Sequence, residues 1–116
     1  MVKERNLFLE TVGYSPELKI LDFLICFSHF DYSKPEIAKN SKVSYTNLER
    51  ILPELIKKGL VKKTRKIGKS ELYQLNRESP IAKVLIAYHW QIIKTVTHKE
   101  LGLKHVKVKI PITQVK

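Results

Sequence analysis

The stretch Ser33–Gly59, SKPEIAKNSKVSYTNLERILPELIKKG, decides how the rest of the chain is read. It opens with three helix-start signals. Ser33 can accept a hydrogen bond from the amide of Glu36, Glu36 can reach back to the amide of Ser33, and Pro35 sits in the first turn, where a missing N–H is tolerated. A short helix over Lys34–Asn40 is predicted, followed by a turn at Ser41-Lys42-Val43. Ser44 then caps a second helix, in which Leu48, Ile51, Leu52, Leu55 and Ile56 recur at helical spacing up to a stop at Gly59. Pro53 lies inside that helix, where it removes one hydrogen bond and is expected to bend the axis.

Toward the N-terminus, Ser15-Pro16 reads as a cap followed by proline at the first helical position. Leu18, Leu21, Phe23, Leu24, Ile25 and Phe27 continue at helical spacing, so a buried helix over about Pro16–Ser28 is expected. The arm Met1–Gly13 carries an apolar patch, Leu7, Phe8, Leu9 and Val12, which fits a helical turn or a strand equally well. Toward the C-terminus, Leu60–Lys66 and Glu71–Leu75 alternate as strands around Ile67-Gly68-Lys69-Ser70, a hairpin with a glycine-containing loop. Ser79-Pro80 opens a long capped helix over about Pro80–His98. The tail Lys104–Lys116 alternates apolar and polar residues as far as Pro111, which suits an edge strand.

Charge is distributed unevenly. Residues 1–56 hold 7 basic and 8 acidic side chains, residues 57–77 hold 8 and 1, and residues 78–116 hold 7 and 2, for a formal net charge of +11. A step of that size at residue 57 points to a surface that meets phosphates rather than to a uniformly Lys-rich soluble exterior. With 116 residues the chain can bury one core without disulfides or metals. Its lone Cys26 lies in an apolar run and cannot by itself form an intramolecular disulfide or a cysteine-based zinc site. The charged opening Met1–Glu10 is unlike a signal peptide, and the uncharged run Val84–Ile93 is too short to cross a bilayer. A cytoplasmic protein with no membrane partner is expected.

The order of elements is helix, short helix, turn, capped helix, basic hairpin, long helix. The stretches Tyr32–Ala38, Val43–Leu48, Leu52–Leu55, Lys58–Val61, Lys63–Lys69, Leu72–Asn76 and Ser79–Ile81 follow one another in that order. In this the chain resembles the winged helix-turn-helix regulators common in archaea, over about Leu18–Leu85. The resemblance implies an α+β, mostly helical fold with a DNA-binding core over 14–76, a dimerisation helix over 79–98 and a basic tail over 99–116, all within a single domain 1–116. The chain departs from the family pattern at Lys42, which stands where the turn usually has glycine. Lys42 must therefore adopt a left-handed conformation or alter the turn.

The residues themselves support that reading. Ala38 is small where two helices cross, and Val43 plugs the turn. Leu48, Ile51 and Leu55 facing inward would direct Tyr45, Thr46, Asn47, Arg50, Glu54 and Lys57 outward; of these Glu54, like Glu49, would repel phosphates, and the cap Ser44 joins the other five as a candidate DNA contact. Arg50 suits guanine, Asn47 suits adenine, and Thr46 suits a thymine methyl or a phosphate. Lys62, Lys63, Arg65, Lys66 and Lys69 form the wing, more basic residues than protection of a strand edge needs. The long helix is apolar nearly all round, and Ile81, Leu85, Tyr88 and Ile92 are the candidate contacts with a second copy of the chain. Double-stranded DNA and a homodimer are the expected partners.

No cofactor, metal site or small-molecule ligand is expected. His29, His89, His98 and His105 are scattered, and no H-E-x-x-H pattern, phosphate-binding glycine loop or nucleophile elbow is present in the sequence, so an enzyme is not expected. Two other readings stay open: a winged helix that serves as a protein-interaction module in a transcription or replication assembly, and a non-specific nucleic-acid coating protein.

Overall fold

The structure, a computed structural model, describes residues 5–102. Among these residues, five helices and a three-stranded antiparallel sheet make an α+β architecture. The arm contains α1 (Leu7–Val12), capped by Asn6, whose side chain accepts from the amide of Leu9. A helix of this length does not persist on its own. Phe8 and Leu9 are buried, and Phe8 stacks on His89 with ring centroids 4.4 Å apart, so tertiary contact selects helix over strand here.

Helix α2 (Pro16–Cys26) begins at Ser15 as expected and stops at Cys26, two residues before the predicted end. Helix α3 (Lys34–Ser41) carries the full reciprocal cap: the Ser33 amide donates to Glu36 Oε1 and the Glu36 amide to Ser33 Oγ. Helix α4 (Tyr45–Lys57) starts from Ser44, whose Oγ accepts from the Asn47 amide at 3.0 Å, and runs through Pro53.

The turn between α3 and α4 takes the left-handed route. Lys42 has φ 61° and ψ 43°. The Lys42 amide donates to Lys39 O and the Val43 amide to Ala38 O, the paired bonds of a Schellman ending, with Val43 packed against the core. The two helices therefore keep the expected connection, at the cost of a lysine in a conformation glycine tolerates better.

Strands β2 (Val61–Ile67) and β3 (Ser70–Leu75) form the hairpin, with Ile67 opposite Ser70. Gly68 has φ 60° and Lys69 a negative φ, the pattern of a two-residue turn with glycine first. A bulge between Lys63 and Arg65 leaves Thr64 outside the ladder. The third strand, β1 (Tyr32–Ser33), pairs with the far edge of β3 and gives the order β1-β3-β2. Two residues carry no readable period, so this strand is invisible in the sequence.

Helix α5 (Pro80–Glu100) follows. The expected side-chain cap at Ser79 is not formed: no amide of the first turn bonds to its hydroxyl. The core gathers Ile20 and Leu24 of α2, Ile37 of α3, Leu48 and Leu52 of α4, Leu75 of β3 and Ala82 of α5, all essentially inaccessible. Gln74 donates to Ser28 O and Asn76 to Gly59 O, fastening the hairpin to the ends of α2 and α4. The predicted tail strand, Lys104–Lys116, lies outside the described residues.

Candidate nucleic-acid interface

The amphipathicity of α4 sets one wall of the site. Leu48, Ile51, Leu52 and Leu55 are buried, which leaves Ser44, Tyr45, Thr46, Arg50 and Lys57 exposed and Asn47 half-buried. The other wall is the wing, where every residue from Lys62 to Ser70 is exposed. Between them runs an open cleft whose lining includes Lys34, Tyr45, Lys66, Lys69, Glu71 and Tyr73. Tyr45 of α4 and the wing residues, far apart in sequence, thus share one surface. Lys34 joins them without having been marked in the sequence, because its place at the start of α3 gives no sign that the wing tip folds back toward it.

The basic residues of this surface differ in availability. Arg65 donates through Nε and Nη2 to Asp31, at 2.9 and 3.1 Å. Its hydrogen bonds, then that of Thr64, hold the Asp31 carboxyl down at about 2, and Asp31 raises Arg65 in turn. Lys63 is paired with Glu71 at 2.9 Å; the bond raises the lysine and lowers the carboxylate. Among the described residues, no ion pair involves Lys57, Lys62, Lys66 or Lys69. Among the described residues, these four sequence-predicted cations can meet a phosphate without first giving up an ion-pair partner.

Arg50 is mostly exposed, lies 3.8 Å from Glu17 and donates to Asn47 Oδ1 at 3.4 Å. Both contacts are long and exposed, hence weak. Ser44 Oγ already accepts one bond as the α4 cap, which leaves its proton and one lone pair free.

The predicted contacts on α5 separate into two kinds. Ile81 and Tyr88 are exposed, as is Trp90, whereas Leu85 packs against the chain's own core and Ile92 is half-buried. Elsewhere, Cys26 meets Asp22 and His89, three residues the sequence kept apart. Burial first, then Asp22, pushes the Cys26 thiol up to about 11, which leaves it protonated and a poor nucleophile at neutral pH. Among the described residues no helix is long and apolar enough to cross a membrane.

No protein-family model matches the sequence, and no curated protein is similar to it. Solved structures do match in fold. A mutant of ZitR from Lactococcus lactis superposes with a TM-score of 0.59 at 19% identity, covering 75% of this chain and 62% of that one. A MarR family transcriptional regulator from Silicibacter pomeroyi gives 0.57 at 17%, covering 75% and 59%. The transcriptional regulator PA3341 gives 0.59 at 25%, covering 80% and 67%. The chain thus spans under two thirds of the first two. These neighbours carry the winged-helix part of the sequence resemblance and not its archaeal part. By its fold, the chain is similar to winged-helix transcriptional regulators, the MarR family among them.

Proposed function

We propose that the chain is a homodimeric transcriptional regulator that binds double-stranded DNA in a sequence-dependent way and acts in the cytoplasm. The observation that carries this reading is the single surface on which the N-terminal turn of α4 and the unpaired wing lysines lie together. Tyr45, Thr46, Asn47 and Arg50 enter the major groove, where Asn47 and Arg50 have the chemistry for adenine and guanine. Lys62, Lys66 and Lys69 follow the phosphate backbone, and Lys57 adds a contact at the far end of α4. Lys63 and Arg65 join only when a phosphate outcompetes Glu71 or Asp31.

Dimerisation is part of the same proposal. The described residues have a radius of gyration of 15.6 Å, against about 13 Å for a compact domain of their number. Helix α5 leaves Ile81 and Tyr88 exposed two turns apart on one face, and Trp90 exposed on another. Two copies joined through α5 would present two α4 helices to half-sites roughly 34 Å apart. The division into a DNA-binding core over 14–76, a dimerisation helix over 79–98 and a tail over 99–116 belongs to this reading.

Fluorescence anisotropy with duplex DNA across a salt series tests it. Wild type is expected to give a steep salt slope and to prefer one sequence. Lys66→Ala/Lys69→Ala should flatten the slope by about 2 on a log–log plot, whereas Arg50→Ala should reduce the preference by about 1–3 kcal/mol. Salt dependence without preference would identify a coating protein. Absence of binding at low salt would overturn the DNA reading in favour of an interaction module.

A further inference from the structure

Away from the basic surface, α2 and α5 meet around a polar cluster set in an otherwise apolar contact. Asp22 and Cys26 stand one turn apart on the same face of α2. His89 enters from the middle of α5. His89 Nε2 lies 2.7 Å from Asp22 Oδ1 and 3.8 Å from Cys26 Sγ, and Cys26 Sγ lies 3.9 Å from Asp22 Oδ1. His89 is wholly buried and Asp22 nearly so, whereas Cys26 opens to solvent. A simple structural pair in a core normally satisfies both ring nitrogens. Here His89 Nδ1 is buried with no partner. The ring is thus held through Nε2, the nitrogen that faces Asp22 and Cys26.

We propose that Asp22, Cys26 and His89 form a binding site for one divalent cation of the zinc class. Tetrahedral zinc with ligand bonds of about 2.0–2.3 Å sets its sulfur and nitrogen or oxygen ligands about 3.6 Å apart, and its nitrogen and oxygen ligands about 3.3 Å apart. The two sulfur separations already fall within a few tenths of an ångström of that geometry. The imidazole–carboxylate distance opens by about 0.6 Å once a metal replaces the direct hydrogen bond. A thiolate, an imidazole and a carboxylate together select zinc, or cobalt in its place, over magnesium and calcium, which take oxygen alone.

Each residue has a defined part. As the sulfur–metal bond forms, the Cys26 thiol releases its proton to solvent. His89 binds through Nε2 with its proton on Nδ1. Asp22 binds through Oδ1, while its Oδ2 stays fixed by the Asn6 side chain at 2.7 Å, an orienting contact of the kind metal ligands use. The exposed side at Cys26 gives the ion its entry path and leaves a fourth position for water. A bound ion ties α2 directly to α5.

Cobalt(II) titration of the full-length, reduced protein tests the site without reference to DNA. The expected result is saturation at one equivalent, with a thiolate-to-cobalt charge-transfer band in the near ultraviolet, discharged by zinc, and a melting temperature raised by either metal. Cys26→Ser, at an exposed position, should fold, lose the band and bind at least tenfold more weakly. Asp22→Asn and His89→Gln should each weaken binding at least tenfold, with a thermal melt to establish that they are folded. His29→Ala and His98→Ala should bind as wild type does. X-ray absorption of the zinc-loaded wild type needs no variant and should show one sulfur and one imidazole in the first coordination sphere. No band at saturating cobalt, a coordination sphere lacking sulfur or imidazole, or undiminished affinity in a folded Asp22→Asn or His89→Gln variant overturns the proposal.

Discussion

Lys42 ends α3 in a left-handed conformation, with its amide and that of Val43 closing the turn. A side chain there costs roughly 1–2 kcal/mol relative to the right-handed region, and glycine would return roughly 0.5–1 kcal/mol of that as unfolded-state entropy. Lys42→Gly is therefore expected to stabilise the protein by about 0.5–1 kcal/mol, a rise in Tm of roughly 3–6 °C by calorimetry. A lower Tm would mean that the lysine is held by contacts worth more than the strain. Asp31 gives a second residue-scale prediction. Its carboxyl is held at about 2 by Arg65 and Thr64, below the ordinary 3.8, so the native state favours the ionised form. That contribution is fully present above pH about 4 and is lost as the pH falls toward about 2. Asp31→Asn should accordingly narrow its stability gap to wild type across that window. The same change releases Arg65, and the salt slope of DNA binding should steepen by up to about 1.

At the scale of elements, α1 shows how a segment without a decisive pattern acquires structure. Its first turn is fixed by Asn6, whose side chain caps Leu9 and reaches Asp22 as well. Arg5 adds bonds to Glu10 and to Glu100 at the far end of α5. The buried Phe8 against His89 carries the packing. Phe8→Ala should destabilise the whole domain by about 3–5 kcal/mol in urea unfolding, as removal of a core aromatic does. A loss below about 1 kcal/mol would mark the arm as an appendage. The wing is different: its strand β2 exposes every residue after Val61 and owes its position to β3, whose Leu72, Tyr73 and Leu75 are buried. Lys62 and Lys66 on β2 are exposed and in no ion pair among the described residues, whereas Lys63 and Arg65 tie the strand to Glu71 and Asp31.

For the molecule as a whole, the unresolved burden lies on α5. Its inner side is spent on the core through Ala82, Leu85 and Ile86 and on α1 through His89, while Ile81, Tyr88 and Trp90 face outward. Ile81→Glu/Tyr88→Glu should leave the fold intact and shift the sedimentation mass from dimer to monomer at micromolar concentration. DNA affinity should then fall by about tenfold or more, because half-sites would be bound one at a time. A wild-type protein that sediments as a monomer at every concentration would remove the dimer from the proposal.

Local rules were legible in the sequence where one short stretch carries the whole cause, the side-chain cap at Ser79 excepted. The reciprocal cap at Ser33 and Glu36, the cap at Ser44, the inward face of α4 and the glycine turn of the wing all appear where their residues placed them, because each depends on neighbours within about four positions. The charge step at residue 57 was equally plain, since it is a matter of composition. Tertiary structure alone decided what depends on distant partners: that the arm is helical, that Tyr32-Ser33 completes the sheet, that Leu85 turns to its own core, and that Asp31 and Glu71 occupy two of the five wing cations. It also brought Asp22 and Cys26 to His89, across 67 and 63 positions. The i, i+4 spacing of Asp22 and Cys26 on an apolar helix was the one trace of that cluster in the sequence. Burial and pairing belong to the packed chain, and no periodicity encodes which buried face meets which.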